Sequence, residues 1–155
     1  MVDYLYKEEI IEINRLCLET SNENEEFIII NPNDIDFILK FSSKNFNDIN
    51  EISLAYCISL IVLHPFKNGN HRTSLLAAEH FLLKNNYKFL GNEYTDLKIQ
   101  KWRIEFEKEN DLEREFFRIT CIEDSKMKSE EIKNIMKTEY GKNIEKWLKD
   151  NFSES

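Results

Sequence analysis

With 155 residues, 41% of them hydrophobic and 12% aromatic, the chain can bury one substantial core and is too short for two. Only three glycines and two prolines interrupt a sequence dominated by Leu, Ile, Phe, Lys and Glu, which points to a mostly helical backbone. A formal net charge of −8 repels phosphate backbones at long range and excludes general nucleic-acid binding; the lack of any apolar run of about 18 residues excludes a membrane-spanning helix.

The opening MVDYLYKEE has neither the basic nor the apolar region of a secretory leader, so a cytoplasmic protein is expected. Residues 7–20 carry Ile10, Ile13, Leu16 and Cys17 at helical spacing, and this helix should stop in the polar stretch SNENEE. Phe27, Ile28, Ile29 and Ile30 form a short β-branched run closed by Asn31-Pro32. The run is too short for a helix and cannot continue a ladder through proline, so it reads as an edge strand or flap. A brief helix over Asp34–Phe41 precedes a longer one over 48–63, with Ile52, Ala55, Tyr56, Ser59, Leu60 and Leu63 on one face. The next helix, from Asn70 to Asn85, carries Leu75, Leu76, Ala78, Phe81 and Leu82 and is nearly apolar on two sides.

Beyond it Tyr87–Leu90 reads as extended, and 93–108 and 111–121 read as helices anchored by Trp102, Phe106, Phe116 and Ile119. In the charged tail, Ser129 is expected to cap a helix reaching Tyr140, Gly141 to end it, and Asn143 to cap a last helix bearing Ile144, Trp147 and Leu148. Cys17, Cys57 and Cys121 fall in apolar helical patterns without CxxC spacing, which predicts buried, reduced thiols. No repeat or linker divides the chain.

The two buried helices meet at HPFKNGNHRTS, His64 to Ser74. Pro65 disfavours the right-handed conformation at His64, so the first helix should end there with the imidazole facing the loop. Gly69 supplies the positive φ of a tight bend, and Asn70–Thr73 open the next helix. A helix start has unpaired N–H groups and a partial positive charge, which together attract anions. Arg72 adds a guanidinium able to grip phosphate at two points. His64 is the side-chain type suited to take a proton from an attacking hydroxyl near neutral pH. A base, an anion cradle and a cationic clamp suit phosphoryl or nucleotidyl transfer. The same residues also suit a plain interhelical turn with a solvated arginine.

HPFKNGNHR resembles the signature of the Fic/Doc (Fido) family, HxFx(D/E)GNGR in Fic proteins and HxFxxxNKR in the death-on-curing (Doc) toxins. EEIIEINRLCLE, NPNDIDFILKF and HRTSLLAAEHFLLKNNYKF are similar to Doc segments, so that the resemblance covers about Leu5 to Asp124. It implies an all-α Fido-type bundle with a small β-flap that aligns a target segment by main-chain pairing. Residues 1–155 would form a single Fido domain, with 125–155 a helical C-terminal extension.

Carried over, His64 matches the general base, Phe66 the buried residue that fixes the loop, Gly69 and Asn70 the anion hole, and Arg72 the phosphate-binding arginine. Phe27, Ile28, Ile29 and Ile30 stand where the flap belongs. Asn68 replaces the family carboxylate that holds Mg²⁺ and offers only a neutral carbonyl, so metal affinity should be weaker and a degenerate site becomes an alternative. His71 stands where Fic proteins have glycine and Doc toxins lysine, and Leu75 replaces the second Fic arginine; both changes point away from Fic-type AMP transfer, and a side chain at 71 resembles the Doc arrangement, in which ATP binds reversed and gives up its γ-phosphate.

The resemblance thus implies ATP or another nucleotide as co-substrate with Mg²⁺. It implies a protein acceptor with a Ser, Thr or Tyr hydroxyl, a translation factor among the candidates, and a separate antitoxin. Adenylyl transfer and a silent binding module are the alternatives. Lys67 reads as a solvated loop lysine, His80 as a structural polar residue, and Ser21 with Glu25 as a poor fit to the Fic inhibitory motif because Glu26 breaks its last position.

Overall fold

A computed structural model describes residues 1–20, 24–90 and 112–155. In these, seven helices occur: α1 Lys7–Thr20, α2 Pro32–Lys44, α3 Ile49–Leu63, α4 Asn70–Lys84, α5 Leu112–Thr120, α6 Ser125–Met136 and α7 Glu139–Asn151. Two three-residue strands, β1 Tyr87–Phe89 and β2 Phe152–Glu154, pair antiparallel with Phe89 opposite Phe152.

The bundle is organised around α3. Its sequence INEISLAYCISLIVL is apolar on every side after the first turn, and all residues from Ile52 to Leu63 are buried, not one face alone. That burial requires neighbours all round: α2, α4, α5, α6 and α7 each pack against it. α1 lies outside this layer, on α4 and α2.

Local signals explain most helix starts. The Tyr6 N–H donates to Glu9 Oε1 at 2.8 Å in the first turn of α1, the reciprocal half of a capping box. Pro32 occupies the first turn of α2, where a missing N–H costs nothing, and the helix runs on past Phe41 to Lys44. The Asp48 carboxylate accepts from the Glu51 N–H at 3.1 Å at the start of α3.

The C-terminal boundaries differ from those read in the sequence. Asp124, not Ser129, caps α6, accepting from the Met127 N–H at 2.8 Å, and Ser129 lies within the helix. Thr138, not Asn143, caps α7, and Gly141 sits in that helix's first turn instead of ending the one before. The physical reason is proximity: a Cβ on Gly141 would stand 2.3 Å from the Met136 carbonyl oxygen. Its glycine therefore serves a close approach, not a positive φ. β2 has no signature in the sequence that separates it from the end of α7.

Two apolar expectations also change. Leu16 is exposed on α1, while the polar Asn14 is buried. Cys17 and Cys57 are buried thiols, but Cys121 is exposed because α5 ends at Thr120 and leaves it beyond the buried Phe116–Ile119 face. The helix expected over 93–108, with Trp102 and Phe106, lies outside the described residues. Among the described residues, no helix is long and apolar enough to cross a membrane.

Candidate active site

The α3–α4 connection builds its geometry from two left-handed residues. The His64 N–H donates to the Leu60 carbonyl at 3.2 Å, and the chain then leaves α3 at φ 48°, ψ 58°. For a residue with a Cβ this conformation costs about 1–2 kcal/mol; Pro65 disfavours continuation of the right-handed helix through His64. At the far end of the loop Gly69 adopts φ 74° at no such cost and admits the chain to α4.

Between them the loop is clamped. The Phe66 N–H donates to Asn70 Oδ1 at 3.0 Å, and Asn70 Nδ2 donates to the Phe66 carbonyl at 2.7 Å. Phe66 is 1% exposed and inserts its ring into the core. The Asn70 side chain is thereby held to the loop by its oxygen and one amide hydrogen, which leaves its backbone N–H and the second amide hydrogen as what residue 70 can offer an anion. Leaving the Phe66 N–H without this partner would cost about 1–3 kcal/mol.

The segment Phe27–Ile30 lies alongside this loop. Ile29 and Phe66 form an antiparallel bridge, with Lys67 N–H to Ile28 carbonyl at 2.9 Å and Ile30 N–H to Pro65 carbonyl at 2.8 Å. Because strand residues alternate edges, the main-chain groups of Ile29 face the opposite side. Phe27, Ile28 and Ile30 are exposed, although the Phe27 ring leans on Phe66 with centroids 6.5 Å apart. The Phe27–Ile30 segment makes a single bridge, and the regular two-stranded sheet lies elsewhere.

His64 is exposed and meets His71 edge to face, with ring centroids 5.3 Å apart. Arg72, partly buried, stands beside it in the first turn of α4. No side chain caps α4 at Gly69, and the first N–H groups of a helix have no partner within it. His64, Gly69, Asn70, His71 and Arg72 are therefore brought to one place. Leu75, one turn on, is 1% exposed and belongs to the core; an arginine there would bury an unpaired charge. On another side of His64 is a pocket of about 320 Å³ lined by Asn31, Leu63, Glu113, Phe116 and Phe117, and by none of residues 66–72.

The residues present do not fit a protein-held Mg²⁺. Asn68 Nδ2 donates to the Glu26 carbonyl of the flap at 3.0 Å, which leaves one neutral oxygen as a ligand. The described residues hold no group of three or more His, Cys, Asp or Glu suited to a metal. Lys67 is exposed and pairs with Glu26 at 3.5 Å. His80 is fastened to Glu9, with Nε2 2.6 Å from Oε2, as a structural residue. Ser21 lies outside the described residues. Burial pushes the Cys57 thiol up to about 12, which removes it as a nucleophile.

One contact from outside the motif has no signal in the sequence beyond a polar residue on an apolar face: Asn14 of α1 reaches the loop through the Asn68 carbonyl.

The bundle thus places an exposed histidine at the end of its central helix, against His71 in the first turn of a second helix that also carries Arg72. The sequence pattern of the Fic/DOC family matches residues 4–82, just over half of the chain, and the chain belongs to that family. The match runs from the N-terminal segment through the motif into α4, stopping short of the Asp124 boundary that the resemblance implies. No curated protein and no solved structure matches the chain.

Proposed function

We propose that the chain transfers the γ-phosphate of ATP, or of another nucleotide, to a Ser, Thr or Tyr hydroxyl of a target protein. The observation that carries the reading is His64, exposed in a left-handed turn, edge-on to His71 beside the open start of α4. His64 takes the hydroxyl proton as the oxygen attacks phosphorus. The α4 N–H groups and Arg72 hold the phosphate charge, and the nucleoside diphosphate leaves. Mg²⁺ enters with the nucleotide as part of the co-substrate. The outward edge of Ile29 pairs with the acceptor segment.

The preference for the γ-phosphate rests on residue 71. A partly buried imidazole fills the position where the Fic pattern has glycine, and buried Leu75 leaves no second arginine. Both features point away from the Fic arrangement, and a side chain at 71 resembles the Doc toxins, which have lysine there. The same reading takes residues 1–155 as one cytoplasmic unit, in keeping with α5, α6 and α7 packing on α3. It adds a separate antitoxin as restraint and a translation factor as the acceptor that Doc similarity favours. A second reading, a silent Fido domain that binds a protein, is favoured by Asn68, whose amide is turned to the flap carbonyl of Glu26.

Incubation with cell extract and ATP labelled at the α or the γ phosphate decides among these. Protein-bound γ label is expected. Protein-bound α label would replace the reading with adenylyl transfer, and the absence of both labels would leave the binding module.

A further inference from the structure

Asn14 lies on α1, outside the motif, and is fully buried beneath the loop. Its Nδ2 donates to the Asn68 carbonyl at 2.8 Å and to Thr73 Oγ1 at 3.0 Å, bridging the last residues of the loop to the first turn of α4 across Gly69. A carbonyl can only accept, so the Asn68 contact fixes which end of the amide faces the loop. The fit is close: a Cβ at Gly69 would meet Asn14 Nδ2 at 3.2 Å and Leu18 Cδ2 at 3.1 Å. The turn that opens α4 therefore lies directly on α1.

The other end of the amide is less well served. Asn14 Oδ1 is buried and has no hydrogen-bond partner among the described residues. An orphaned buried oxygen is a net cost to folding, which an apolar side chain of similar size would avoid. Stability alone therefore does not account for asparagine here. What its Nδ2 secures is the placing of the Asn68 carbonyl against Thr73 across the Gly69 turn.

We propose that Asn14 is a positioning residue for group transfer, acting by holding the Asn68 carbonyl and Thr73; this rests on the transferase reading above. Asn14→Leu removes both donated bonds and the orphaned oxygen together, and it takes a donor from the Asn68 carbonyl and from Thr73 Oγ1. In the full-length protein its melting temperature should stay close to wild type, because the loss of the orphaned oxygen offsets the acceptors left without a donor. Kcat/KM for γ-label transfer should fall by about tenfold or more, because a small misplacement of the loop is costly. Amide exchange over residues 64–72 should speed up by about tenfold or more while the α3 core stays protected. Thr73→Val, which keeps the Asn68 bond, should lose less activity than Asn14→Leu.

Asn14→Ser repeats the test if leucine does not fit the space. Wild-type exchange in the loop would overturn the proposal, as would a loosened loop with an undiminished rate. So would a rate loss that comes with a lowered melting temperature and faster exchange throughout α1, α3 and α4. If wild type transfers no label, the transferase reading fails and the proposed role in the reaction is overturned with it; the exchange measurement separately decides whether Asn14 holds the loop.

Discussion

The starts of α4 and α7 both use a glycine, and they use it for opposite ends. At α7, Thr138 Oγ1 accepts from the Gly141 N–H at 3.3 Å, and the glycine is there because the Met136 carbonyl leaves no room for a Cβ. At α4 the glycine is itself the boundary residue, bent to φ 74°, and it has no side chain with which to cap the turn it opens. α3 and α6 follow the α7 pattern, each closed by an aspartate. A carboxylate in that position at α4 would compete with a phosphate for the same N–H groups. α2 also starts without a side-chain cap, at Asn31 and Pro32, but only the α4 start carries an arginine in its first turn and follows His64 in the chain, whereas at α3, α6 and α7 the N-cap side chain takes one of the helix's donors.

The largest expected effect comes from the open end. His64→Gly should lower label transfer by about 10²–10⁴-fold, the usual contribution of a general base. It should also raise stability, by up to about 1 kcal/mol, because glycine accepts the left-handed conformation that histidine adopts at a cost. A melting curve beside the transfer assay checks both; a destabilised variant would mean that the His64 side chain holds the fold and not the chemistry.

At the closed end the signs reverse. Gly141→Ala should destabilise the protein by about 1–3 kcal/mol through overpacking against Met136, with transfer per folded molecule unchanged. Urea unfolding measures the first and label transfer the second. Asp124→Ala should cost about 1 kcal/mol by removing the α6 cap, again without a change in transfer. A selective loss of transfer in either variant would break the distinction between closed and open helix starts.

The smallest effect lies at the far end of α4. Burial pushes the Glu9 carboxyl up, but Lys84, the Tyr6 N–H and His80 together hold it below its ordinary value of 4.5. A lowered folded-state pKa contributes stability that is present above the unfolded value and lost as pH falls through the folded one. Acid unfolding should therefore be less steep below about pH 4.5 in Glu9→Gln than in wild type, with transfer at neutral pH retained. Parallel acid limbs in the two proteins would show that this end of α4 is held by packing alone.

Much of the site was legible in the chain. A histidine before proline, a glycine before a helix start and an arginine in its first turn are local signals, and local backbone sterics act on them wherever the segment lies. The same holds for α1, the flap run and the two motif helices, whose periodicities are strong. Less legible were features that depend on two distant segments. The turn of the Asn68 amide to the Glu26 carbonyl is of this kind, and the bonds by which the Asn70 side chain clamps Phe66, though local, were no more legible.

What the sequence determined by itself was the helical class, the place of the loop and the chemistry of the residues on it. The tertiary structure decided which of those groups are already engaged. It buried Leu75, closed the tail between β1 and β2, kept Gly141 for an approach no periodicity records, and set Asn14 under the loop. The reason is physical: a helix propensity or a turn is settled within a few residues, but a hydrogen-bond partner or a missing Cβ is settled only when another part of the chain arrives.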